Sequence, residues 1–171
     1  KISFIKNIIL DNILPSDIYI KAKELHFEVD APKAVFFIRF TEKGEVIPYD
    51  ILQNMFPDKN KDYVISIGEN DIVLVREVKY NVESKELEKL AHTIADTISS
   101  EFFLRVTIGI GTVAETLKDL AASFRESQVA IEVGKVFDTK KNIINYENLG
   151  IGRLIYQLPT TLCEMFLQEV F

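Results

Sequence analysis

The chain has 171 residues, 47% hydrophobic and 27% charged, with a formal net charge of −6 and a pI near 5.0. That length can bury a core without staples, and the acidic balance argues against nucleic-acid binding by this stretch, since phosphate contacts need clustered Lys and Arg. One cysteine, Cys163, excludes an intrachain disulfide and a cysteine-rich metal site, and no apolar run reaches the roughly 18 residues of a membrane span.

In chain order, "FIKNIILDNIL" (4–14) predicts a helix that stops before Pro15. Ser16 is placed to cap a second helix carrying Ile18, Ala22 and Leu25 at helical spacing. "DAPK" (30–33) is a break, and "AVFFIRF" (34–40) is apolar along almost its whole length, which predicts a buried central strand. After the turn "TEKGE", Pro48 suits the first turn of a short helix through Phe56, which Pro57 ends. "DKNKD" is a solvated loop. Tyr63 to Ile67 and Ile72 to Arg76 then form the arms of a hairpin around Gly68, Glu69, Asn70 and Asp71.

"SKELEKLAHTIADTISS" (84–100) carries Leu87, Leu90, Ala91, Ile94, Ala95 and Ile98, the clearest helical stripe in the chain. "FLRVTIGIG" (103–111) predicts a strand. Thr116 and Asp119 match a capping box that opens a long helix with Leu117, Leu120, Ala121, Phe124, Ile131 and Phe137 on its apolar stripe. "NIINY" (142–146) is a short last strand. Two helices are predicted after it, separated by Pro159, with Thr161 and Glu164 as a second capping box. This order predicts an α+β fold with helices over one face of a mainly antiparallel sheet. The chain begins at Lys1 rather than Met and ends at Phe171 within an apolar-periodic run, so a piece of a longer protein is expected.

The apolar first strand, the hairpin with Gly68 at its turn, "VTIGIG", and "SQVAIEVGKVFDTKKNIINYE" resemble the GGDEF domain of diguanylate cyclases. With the lead-in "FIKNIILDN" and the C-terminal "LGIGRLIYQLPTTLCEMFLQEVF", nearly the whole chain resembles the GGDEF-like segment of CdaR/PucR-type bacterial transcription regulators, the class that includes sugar diacid regulators. The resemblance implies a ferredoxin-like or GGDEF-like antiparallel sheet with helices on its faces, flanked by terminal helices. It divides the chain into a helical lead-in (1–30), a GGDEF-like domain (31–148) and a helical connector (149–171) toward a helix-turn-helix beyond Phe171.

Cyclase chemistry uses two Mg²⁺ ions, held by carboxylates from the end of the first strand and from the hairpin turn. Laid onto the family motif, Gly68 matches the first glycine, Glu69 stands at the second, Asn70 replaces an acid, and Asp71 matches the glutamate but is one methylene shorter. Ile72 matches the phenylalanine. Arg39 and Thr41 stand near where the family places its metal-binding aspartate, and Glu42 is the nearest acid, one step beyond the strand. A new carboxylate points where phosphate should lie. The turn therefore reads as one that has lost its chemistry, with Asn70 and Asp71 serving turn conformation, where Asn tolerates positive φ.

Other features have structural readings. "TIGIGT" (107–112) lacks the GxGxxG spacing, so Gly109 and Gly111 read as close-packing glycines rather than a phosphate loop. "LGIGR" (149–153) reads as a linker turn. His26 and His92 have no partners at metal spacing, and His92, beside the stripe of its helix, reads as partly buried and hydrogen-bonded. Cys163 reads as a packed thiol.

The functional expectation is a catalytically inactive regulatory domain that relays a signal or joins two protomers in a cytoplasmic transcription regulator. No catalytic residue, metal or cofactor is expected, nor a membrane, and DNA is expected to be contacted only by a region outside this chain. A homodimer is expected through Leu162, Phe166, Leu167 and Val170, with Phe4, Ile5, Ile8, Ile9 and Ile13 of the first helices adding apolar surface. The alternative is a nucleotide-binding or residual nucleotide cyclase domain.

Overall fold

The computed structural model describes residues 2–27, 31–136 and 142–149. Strand β1 (Lys33–Phe40) is apolar at almost every position, so neither of its faces can be left in water. Seven of its eight residues are buried, Arg39 being the exception. Around it stand β3 (Asp71–Glu77) and β4 (Val106–Ile110), both antiparallel to it. Outside them lie β2 (Asp62–Ser66), antiparallel to β3, and β5 (Ile143–Asn145), parallel to β4. The sheet order is β2-β3-β1-β4-β5. Its first four strands are the antiparallel set of a split β-α-β fold, and β5 extends it by one.

Helices cover both faces, not the single face that element order alone suggests. Ala34, Phe36, Ile38 and Phe40 meet α3 (Pro48–Met55) and α4 (Ser84–Phe102) in one core. Val35 and Phe37 meet α1 (Ile2–Ile9), α2 (Pro15–Glu24) and α5 (Leu120–Val136) in the other. The alternation of a strand sends successive side chains to opposite faces, and the continuous apolar run of β1 is what demands two helical layers.

Several boundaries differ from the sequence reading. α1 stops at Ile9 rather than running to residue 14, and Asp11 closes it with a φ of 59°. Ser16 does not cap α2: Pro15 occupies the first turn, and the preceding Leu14 makes no side-chain cap. Proline's fixed φ and missing N–H suit that position without a cap. The Thr116–Asp119 box forms, with the Thr116 amide and Oγ1 donating to Asp119 Oδ2 at 3.3 and 3.2 Å. It opens a 3-10 turn (Leu117–Asp119) that leads into α5. Phe103 lies outside β4 and ends α4 in the left-handed region, φ 56°.

The N-terminal half of the expected dimer surface is core instead. Phe4, Ile5, Ile8 and Ile9 are buried against the sheet and α5, because α1 must cover the β2–β3 side of that face. Leu162, Phe166, Leu167 and Val170 lie outside the described residues, as do Phe137, Cys163 and the second capping box. His92 is exposed, not partly buried, at the rim of a hollow shared with Lys85 and Lys89. No described helix is long and apolar enough to cross a membrane.

Candidate functional site

The hairpin turn follows from its ladder. The Ile67 amide donates to the Asp71 carbonyl at 2.9 Å, and the Gly68 amide shares that acceptor at 3.3 Å. The Asn70 carbonyl accepts from the Phe40 amide at 2.8 Å, which stitches the turn to the end of β1. Ser66 Oγ donates to the Gly68 carbonyl at 3.1 Å. Glu69, Asn70 and Asp71 all keep negative φ, so the left-handed tolerance of Asn is not used here. A Cβ added at Gly68 would meet only Asp71 Oδ2, at 4.0 Å. Packing within the chain therefore does not require a glycine at this position.

The register places Arg39 directly opposite Asp71 on one side and Thr107 on the other. Odd-numbered β1 positions face α5, so the guanidinium also reaches that helix. Arg39 Nε donates to Asp71 Oδ1 at 3.0 Å and Nη1 to Glu132 Oε1 at 3.2 Å. Lys135 Nζ approaches the same Glu132 oxygen at 3.7 Å. The guanidinium carbon lies 5.2 Å from the Phe37 ring centroid, so the cation also rests on an aromatic face. Burial lowers the Arg39 pKa, but hydrogen bonds and charge attraction from Asp71 and Glu132 outweigh it and leave it raised. Both Arg39 and Asp71 side chains are 29% exposed, so the pair is screened only in part.

Asp71 is thus committed to an organic cation. A hard divalent cation at this turn needs several carboxylate oxygens free of such a competitor. Glu42, the first acid after β1, lies in the exposed bend beyond that strand, and Thr41 there donates its amide and hydroxyl to the Arg105 carbonyl at 3.1 and 3.2 Å. Among the described residues, His, Cys, Asp and Glu form no cluster of three placed to hold a metal ion. The turn and strand end do not fit the two-metal arrangement that the resemblance to cyclases implies.

Beside the turn, Glu42, Lys43, Glu45, Val46, Ile47 and Glu69 border an open hollow of about 350 Å³. Three carboxylates against one ammonium make its wall acidic, which opposes a nucleotide phosphate.

Sequence reasoning found the turn and Arg39 but missed Glu132. It stands beside Ile131 on α5, and only the packing of that helix over β1 brings it within reach, a tertiary fact with no local signal. The packing reading of Gly109 and Gly111 stands: an added Cβ would lie 2.1 Å from the Ser127 carbonyl oxygen at Gly109 and 2.1 Å from the Ser123 carbonyl oxygen at Gly111. The strand and α5 touch backbone to backbone, leaving no loop for a phosphate. Ser123 and Ser127 are the small buried residues on the helix side, their hydroxyls donating to the Thr112 and Phe124 carbonyls at 2.6 Å each.

Comparison with curated proteins finds no match. The family profile of the GGDEF-like domain matches residues 11–133, from the end of α1 through most of α5 and including the Arg39–Asp71–Glu132 cluster. A match over that much of a 171-residue chain, on a split β-α-β sheet with a glycine-led hairpin turn, means that the chain belongs to the GGDEF-like domain family.

Proposed function

We propose that this domain is a catalytically inactive regulatory module of a cytoplasmic bacterial transcription regulator of the CdaR/PucR type. It relays a signal or holds two protomers together, with DNA contacted by a helix-turn-helix outside this chain. The observation that carries the reading is the ion pair of Arg39 with Asp71, because a fixed guanidinium takes the carboxylate that a two-metal cyclase would give to Mg²⁺. The acidic Glu69 in the turn adds repulsion toward a triphosphate.

Self-association is assigned to the C-terminal segment, where Leu162, Phe166, Leu167 and Val170 recur at helical spacing. Phe4, Ile5, Ile8 and Ile9 of the first helix lie in the core, so the proposed interface rests on the C-terminal segment. The test of inactivity is incubation of the purified chain with GTP and Mg²⁺. No cyclic dinucleotide above a protein-free control is expected, and no thermal shift. Product formation overturns the reading in favour of a residual cyclase, and a thermal shift without product in favour of a nucleotide receptor. Light scattering across a concentration series tests the dimer: native protein is expected to be dimeric and Phe166→Glu with Leu167→Glu monomeric. A monomer for both, or a dimer for both, rejects this placement of the interface.

A further inference from the structure

Phe103 is the least economical residue on the described surface. It closes α4 with a φ of 56°, in the left-handed region that glycine occupies at low cost and a bulky residue does not. Its side chain is 84% exposed, so no burial offsets that backbone cost. Strain without a structural return points to use.

The neighbours of Phe103 make a surface. Phe103 borders a hollow of about 460 Å³ with Glu42, Glu45, Val46 and Glu101. The loop 42–46 forms the wall between this hollow and the one beside the hairpin turn, where Ile47 is 63% exposed and Val46 39%. Three apolar side chains thus stand in water on one contiguous rim. Four carboxylates, Glu42, Glu45, Glu69 and Glu101, border the two hollows, against the single ammonium of Lys43. An apolar patch ringed by one sign of charge selects a partner of the other sign. A second copy docking by the same patch would bring the two acidic rims together, in a chain already at −6.

We propose that the 42–47 loop and Phe103 form a docking surface for a cationic amphipathic segment of a partner protein, whose apolar side chains seat on Phe103, Val46 and Ile47 while its Lys or Arg residues meet the glutamates. The inference deepens the interaction-module reading and rests on it, by naming the surface and the partner's chemistry.

The experiment uses a labelled amphipathic helical peptide of Leu and Lys and its counterpart with Glu for Lys, read by fluorescence anisotropy against the full chain. Saturable binding of the Lys peptide alone is expected, weakening as salt rises. Phe103→Gly is the informative variant, because glycine relieves the backbone at this φ. A higher melting temperature together with at least tenfold weaker peptide binding is expected. Glu42→Lys with Glu45→Lys is expected to weaken binding to a similar degree, and Ile20→Ser, on the exposed face of α2, to leave it unchanged. No saturable binding, or equal binding by native protein and Phe103→Gly, overturns the docking surface. Either result is separate from the cyclase assay: product from GTP would overturn the inactive reading without touching peptide binding, and lost docking would leave the inactivity standing.

Discussion

Two sets of glycines in this chain have opposite surroundings. Gly68, in the hairpin turn where the family motif begins, has only Asp71 Oδ2, 4.0 Å away, beside the place its Cβ would take. Gly109 and Gly111, in a stretch that superficially suggests a phosphate loop, lie against the backbone of α5 with no room for a single methyl. The glycine of the hairpin turn is free of packing demands, while Gly109 in β4 and Gly111 just beyond it hold the sheet to its helix. A glycine-rich stretch thus reveals its role through what approaches it, and the approach is legible only once the helix is in place.

The largest expected effect breaks the packed pair. Gly109→Ala or Gly111→Ala forces a Cβ against a helix carbonyl that cannot rotate away, and each is expected to cost about 3 kcal/mol or more. Chemical denaturation measures this, with loss of the folded state as the extreme outcome. The next effect lies at the turn. Arg39→Ala leaves Asp71 and Glu132 without their shared cation and is expected to cost about 1–2 kcal/mol, reduced from a buried pair's value because both partners are partly solvated. A double-mutant cycle with Asp71→Ala should return a coupling of about 1 kcal/mol, and a value near zero would deny the pair any energetic role.

A third prediction concerns the opposite end of the sheet. Asp62 is buried, 3.5 Å from Arg76 Nε, and its Oδ1 has no hydrogen-bond donor. Burial raises its pKa, and attraction to Arg76 offsets that only in part. A raised folded pKa means that the fold favours the neutral acid. The contribution is therefore fully present below the unfolded value of about 3.9 and is lost as pH rises through the folded pKa. Asp62→Asn is expected to abolish that loss, flattening the fall in stability as pH rises above about 4 and changing it by no more than about 1 kcal/mol at neutral pH. Urea titrations at several pH values check the slope. The smallest effect sharpens the comparison from the other side: Gly68→Ala should change stability by less than about 0.5 kcal/mol, since nothing in the chain occupies the space.

Much of this fold was legible because local signals agreed with the tertiary outcome. The stripe of α4, the hairpin arms and the Thr116–Asp119 box all depend on near neighbours in sequence, and all three formed. What escaped needed long-range packing. Element order alone suggested one helical layer, and helices on both faces were expected only through the family resemblance, because a buried apolar strand does not say what covers each face. Glu132 was hidden because its meeting with Arg39 spans 93 residues. Phe103 reads as strand because it opens an apolar run that leads into β4, but it closes α4 in the left-handed region and β4 begins only at Val106. His92, expected to be partly buried, is exposed for a similar reason: its place beside an apolar stripe does not fix how far the helix is rotated toward solvent.

The central claim is that the Arg39 guanidinium stands in for metal at the hairpin turn. The most direct measurement is calorimetric titration of Mg²⁺ and Mn²⁺ into the native chain and into Asp71→Asn. The account predicts no saturable heat from either ion in either protein. Saturable binding by the native chain that Asp71→Asn abolishes would contradict it, because Asp71 would then be a metal ligand and not the partner of Arg39.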